Sequence, residues 1–234
     1  MIKIFWAAVA ASVILVAQPS GEDLIRKNID AHGGVEKIQA VKTLQLTGKA
    51  LIGGQIEAPM VYRSKRPTRY RTEIQIQGRL MTEAFDGSVN WISEGISPSK
   101  APEENAKRAA DNADPIGSPL FNYREKGHVV EFAGKETVEG QECYKFTVKL
   151  NSGNHSTVYV DAKSYLTFII VTKSGDLEAQ SKLSDYRRVS GVLIPFSNTI
   201  NINGQKVMVM NYQKAEVNVP LDDSLFVMPP VKSK

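Results

Sequence analysis

The sequence predicts a mainly β protein: one antiparallel sheet, preceded by a short helix and interrupted by a helical insertion. Apolar and polar residues alternate with period two through most of the chain, and turns rich in Gly, Asn and Asp separate these segments. Helical patterns do not alternate with strand patterns, as a parallel sheet of βα units would require. The chain has 234 residues, 42% hydrophobic and 23% charged, which is globular composition and excludes disorder. Cys143 is the single cysteine, so an internal disulfide, a CxxC redox pair and a multi-cysteine zinc site are excluded too.

At the N-terminus Lys3 precedes an uncharged run, Ile4 to Ala17, broken only by Ser12 and followed by polar residues from Gln18 to Asp23. This is the form of a secretory signal peptide, with cleavage expected after Ala17, which divides the chain into a leader, 1–17, and one domain, 18–234. The run falls short of the ~18 apolar residues a membrane span needs, and no cysteine near its end marks lipidation. The expected location is therefore the periplasm. A net charge of +4 is too weak to argue for nucleic acid as a partner, and export makes that partner less apt still.

Glu22 to Asp30 carries its acids early and places Leu24, Ile25 and Ile29 at helical spacing, with Gly33 and Gly34 as the stop. From Thr43 the period becomes two. Leu44, Leu46, Ala50 and Ile52 alternate with polar residues, and Gly53 and Gly54 lead into Ile56, Ala58, Met60 and Tyr62 as a first hairpin. Arg69 to Gln77 continues the habit, and Leu80 to Phe85 turns at Asp86 and Gly87 into Val89 and Trp91. Pro98 to Pro119 breaks the series. Glu103 to Ala113 sets Ala106, Ala109, Ala110 and Ala113 on one helical face, and Ser118 with Pro119 predicts a further helix through Leu120, Phe121 and Tyr123 to Gly127. Strands then return from Val129 to Tyr212, giving about ten in all.

A search for chemistry finds no constellation. His32, His128 and His155 lack a second histidine at ligand spacing, and His32 at a helix end suits the terminal carbonyls. Asp111 to Asp114 begins like a calcium loop, but Ala113 and Pro115 stand where oxygen ligands are needed. Ser118 lacks a GxSxG frame, and Cys143, opposite in parity to Tyr144 and Phe146, is expected on the exposed face without a partner histidine. No catalytic residue, cofactor or metal is expected. Arg63, Lys65, Arg66, Arg69, Arg71 and Arg79 face a single acid, Glu73. That run suits either a solvated strand face or attraction to anionic lipid headgroups or an acidic partner.

Several short motifs, in this order, resemble the LolA/LolB-like periplasmic lipoprotein carriers. Lys65, Arg66, Pro67 and Tyr70 look like the family's RP strand opening, and Phe85, Asp86, Gly87, Val89 and Trp91 like its DGxxxW hairpin. Tyr159 to Asp161 resembles the YVD strand end, Gly191 to Pro195 the GVxxP strand start, and Leu221 to Pro229 the closing LDxxxF segment. The resemblance implies an incomplete antiparallel β barrel whose apolar concave face is covered by helices acting as a lid, and which binds acyl chains without catalysis. It implies lipoprotein acyl chains or phospholipid as cargo, and a membrane-bound donor or acceptor protein as a further partner. By the same likeness Arg66 would hold the lid through its backbone, with Arg63, Lys65 and Arg69 as rival matches. Phe85, Trp91, Ile116, Leu120, Phe121 and Phe168 would offer apolar surface to the ligand, although each also suits a core position. An envelope sensor or protein-interaction module on the same fold is the alternative function.

Overall fold

The computed structural model describes residues 19–95 and 97–230; the expected leader lies outside them. Ser20 caps the first helix, α1 (Gly21–His32), by accepting from the Asp23 amide at 3.2 Å, and Glu22 and Asp23 set negative charge against the positive end of its dipole. Gly33, at φ 126°, ends it, donating to the Asp30 carbonyl; a Cβ there would meet the Gly191 carbonyl oxygen at 2.5 Å. A short helix follows, α2 (Val35–Ala40).

Five strands come next: β1 (Thr43–Ile52), β2 (Ile56–Lys65), β3 (Arg69–Ile76), β4 (Arg79–Phe85) and β5 (Asn90–Glu94), with the two-residue β6 (Ser99–Lys100). Helix α3 (Glu103–Asn112) opens an insertion that runs to His128. The remaining strands are β7 (Val129–Val138), β8 (Gln141–Lys149), β9 (His155–Asp161), β10 (Thr167–Ser174), β11 (Leu177–Val189), β12 (Val192–Ile202) and β13 (Gln205–Val217). All thirteen join one antiparallel sheet in the order β6-β5-β4-β3-β2-β1-β13-β12-β11-β10-β9-β8-β7. Because β6 and β7 stand at opposite edges, the barrel stays incomplete, as expected. The additional strands include β6, whose two residues carry no readable period.

The first strand pairs with the last, so β1 and β13 sit at the middle of the sheet. Their register shifts between Thr47 and Gly48, where a Cβ would lie 2.1 Å from the Asn211 carbonyl oxygen; only glycine lets the two backbones approach so closely.

Helices and insertion cover one face of the sheet. Leu24 and Ile25 of α1 pack with Leu120, Phe146, Val148, Val158 and Val160, while Ile38 of α2 joins Leu44, Leu46, Met60, Ile194 and Phe121. Ala109 and Ala113 let α3 settle on Tyr70 and Phe85.

Two expectations change. The stretch from Pro119 to Gly127 is a series of turns, not a helix. Asn122 adopts a left-handed conformation, φ 49°, which breaks any α-helix at that point. The Ser118 hydroxyl still accepts from the Leu120 amide at 3.2 Å, but the cap opens a turn. Cys143 has the parity foreseen, on the face away from the helices, yet it is fully buried beside Asp161 and Glu136, and burial pushes its thiol up to about 11.

Candidate functional site: a roofed apolar cavity

Between the sheet and its helical cover lies a half-open cavity of about 320 Å³. Leu44, Leu46, Tyr62, Met210 and Tyr212 form its floor on β1, β2 and β13. Ile170, Leu183, Ile194 and Asn198 carry the wall across β10, β11 and β12. The roof is Ile29 and His32 of α1, Ile38 of α2, and the insertion from Pro115 to Phe121. A mostly apolar hollow with a few polar groups is the usual form of a small-molecule site.

One end is polar and internally braced. Asn28 Nδ2 donates to the Tyr165 carbonyl at 2.7 Å and contacts Thr167 Oγ1 at 3.3 Å, and the Tyr186 hydroxyl donates to the Thr167 carbonyl at 2.6 Å. His32 Nδ1 lies 2.8 Å from the Asn28 carbonyl oxygen, its ring edge-on to Tyr186 at 5.6 Å. Burial holds the His32 imidazole below its ordinary pKa, and burial pushes the Tyr186 and Tyr212 phenols up. Tyr62 is likewise pushed up by burial, to about 12.

At the margin of the cavity, Arg66 ties the roof to the sheet. Its Nη1 donates to the Ile38 and Gln39 carbonyls at 2.9 and 3.0 Å, where α2 ends, and its Nη2 donates to Asp114 Oδ1 at 3.1 Å. Asp114 also accepts from the Ile116 amide at 3.0 Å and pairs with Lys126 at 3.5 Å. Burial would raise this carboxyl, but Lys126 and Arg66 outweigh it and hold the group below its usual range. Both cations also sit 5.6 Å from the Phe121 ring centroid. The β2–β3 turn, the end of α2 and the insertion thus meet at the Arg66 guanidinium.

Of the seven residues singled out from sequence, Ile116 and Phe121 line the cavity and Arg66 borders it through Phe121 and Asp114. Leu120 is buried against α1, at the floor of a second cleft between α1 and the insertion. Phe85 lies beneath α3 and does not line the cavity. Trp91 and Phe168 are on the opposite face. Trp91 has the parity opposite to Asn90, which pairs with Phe85, so it points away from the helices. A register shift between Thr167 and Ile169 turns Phe168 outward, under Lys182 Nζ at 5.4 Å.

Most of the basic run is engaged within the molecule, while Arg79 is exposed. Lys65 donates to the Leu221 carbonyl at 2.8 Å and pairs with Asp223 at 2.6 Å, Arg71 donates to the Leu225 carbonyl at 2.8 Å, and Trp91 Nε1 donates to the Phe226 carbonyl at 2.7 Å. Arg63 and Arg71 share Glu73. The outer face of β2–β5 is a clamp for the C-terminal segment, with Phe226 fully buried.

Asn198 and Tyr186 were not singled out from sequence, and Asp114 entered there only as the end of a rejected calcium loop. Asn198 carried a signal, since it shares the parity of Ile194, Phe196 and Ile200 on β12. Asp114 carried none, because its partners are 48 and 12 residues away in sequence.

No protein-family model matches the sequence, and no curated protein does. Solved structures do match. A LolA superfamily protein from Nitrosomonas europaea aligns over 90% of this chain and 98% of its own, with TM-score 0.56 and 12% identity. An outer membrane lipoprotein-sorting protein domain from Vibrio parahaemolyticus aligns over 87% and 94%, with TM-score 0.57 and 10% identity. The fold is LolA-like. A DUF1329 family protein from Desulfovibrio piger shares it at TM-score 0.52 and 11% identity, over 88% of this chain and 96% of that one. At such identities the likeness establishes the LolA-like architecture, whose helical cover here encloses the cavity just described. Among the described residues no helix is long and apolar enough to cross a membrane.

Proposed function

We propose that the chain is an exported, non-catalytic carrier or binder of acylated cargo, lipoprotein or lipid, held in the cavity under the helical cover. Residues 1–17 serve as the cleaved leader, the LolA-like domain acts in the periplasm, and a membrane-bound protein donates or accepts the cargo. The observation that carries this reading is the half-open apolar cavity beneath a roof that Arg66 and Asp114 pin shut.

The energetics of reversible transport favour such a roof. Burying a 16-carbon chain gains on the order of 12 kcal/mol at about 0.8 per methylene. Three such chains would pass the practical affinity ceiling near 20 kcal/mol, and cargo would never leave. A cover that already buries the apolar surface when empty reduces the net gain, because opening exposes surface that the cargo must cover again. The small Ala106 and Ala109 make the contact of α3 with the sheet shallow, which keeps opening reversible.

Native mass spectrometry of protein recovered from the periplasm tests the reading, together with uptake of the uncharged fluorophore N-phenyl-1-naphthylamine. Co-purifying acyl lipid and saturable fluorophore uptake are expected; absence of both refutes the carrier reading.

A further inference from the structure

The polar groups of the cavity define the head of the ligand as well as its tail. Among the described residues, Asp111 and Asp114 are the charged side chains of the lining, and neither lysine nor arginine contributes to it. Both carboxylates are already engaged. Asp111 accepts from Ser152 Oγ at 2.6 Å and Asn154 Nδ2 at 3.2 Å, and Asp114 is held by Arg66 and Lys126. A phosphate or carboxylate drawn into this space would meet no free cation, and an unpaired buried anion is costly. An ammonium would find Asp114 already paired and the cations Arg66 and Lys126 close by.

What the cavity leaves unspent is neutral hydrogen-bonding capacity. The Nδ1–H of His32 donates to the Asn28 carbonyl, which fixes the tautomer and leaves Nε2 as an acceptor. Burial keeps this ring in its uncharged form. Asn198 Oδ1 is buried without a hydrogen-bond partner among the described residues. Its amide can turn end for end, and a hydroxyl, which both donates and accepts, satisfies it in either orientation. The Tyr186 hydroxyl donates its proton to the backbone and is left only as an acceptor. At about 320 Å³ the cavity sits at the small end of the ~300–1,000 Å³ range of ligand pockets, room for one tail rather than several.

We propose that the cavity selects a single-chain lipid whose polar end is uncharged, a hydroxyl or amide satisfied by Asn198 or His32, over lipids ending in phosphate or carboxylate. This rests on the carrier reading and narrows it.

The test uses the leaderless protein loaded with N-phenyl-1-naphthylamine at pH 8 and displaced by three 12-carbon competitors: 1-monolauroylglycerol, laurate and dodecyl phosphate. The monoglyceride is expected to bind at least ~10-fold tighter than either anion, a gap worth about one buried hydrogen-bonded group. Asn198→Leu, which supplies apolar bulk without the amide, is expected to cut that preference several-fold. His32→Phe gives a second readout should Asn198→Leu fold poorly. Laurate or dodecyl phosphate binding as tightly as the monoglyceride overturns the inference and leaves the carrier reading standing, as does a preference that survives both substitutions. Failure of the fluorophore and of all three competitors to bind overturns both.

Discussion

Arg66 Nη2 and Asp114 Oδ1 meet at 3.1 Å with side chains 17% and 13% exposed, and through this pair the β2–β3 turn, the end of α2 and the insertion are tied together. Hydrogen bonds to charged groups in such partly buried settings contribute about 1.5–3 kcal/mol. Arg66→Leu is therefore expected to lower unfolding free energy by about 2 kcal/mol, read from urea denaturation. It should also tighten ligand binding, because each ~1.4 kcal/mol removed from the cost of opening is about tenfold in affinity. Unchanged stability and unchanged affinity would separate the pair from lid control.

Acid should weaken the fold in two steps. The folded-state pKa of His32 is lowered from 6.5, so its neutral form contributes stability that is complete above about pH 6.5 and is lost as pH falls through the lowered value. Asp114 is lowered from 3.8, so its contribution is complete above about pH 4 and is lost as pH falls through its own depressed value. Urea midpoints measured from pH 8 to pH 3 should flatten in the upper window for His32→Asn and in the lower one for Asp114→Asn. The opposite assignment of windows would refute the burial and charge argument for both groups.

Trp91 separates core from ligand surface. Its ring is buried on the outer face, beneath the segment whose Phe226 carbonyl it holds, with Arg71 5.4 Å away. Trp91→Ala is expected to cost about 3–5 kcal/mol, and in the variant that remains folded, ligand affinity should match the unaltered protein. A selective loss of binding with full stability would place Trp91 in the site after all.

Cys143 should be inert in the native state. With its thiol pushed up to about 11, only about a thousandth is thiolate at pH 8, and the side chain is fully buried. Ellman's reagent is expected to react only at the rate of unfolding. Stoichiometric reaction within seconds in buffer would contradict that burial.

Much of the architecture could be read because a half-covered sheet writes its period into the chain: Leu44, Leu46 and Ala50 alternate as they pack, and the alanines of α3 fall on the face that meets Tyr70 and Phe85. Arg66 was reached through its likeness to a family motif, not through any local pattern. The misses have physical causes. A single left-handed residue, Asn122, undid the helix foreseen after Pro119. A bulge beside Phe168 reversed its side. Trp91 sits where parity should have placed it outward, but an outward tryptophan suggests no core until a distant segment covers it. The C-terminal partners of Lys65 and Arg71 lie more than 150 residues downstream, beyond any window of local reasoning.

Strands β6 and β7 never meet, so no continuous ring of hydrogen bonds fixes the girth of the molecule. A sealed barrel can enlarge its interior only by breaking backbone pairs. Here the two margins carry no such constraint, so the sheet can bend to admit or release a ligand while every pairing between strands is kept.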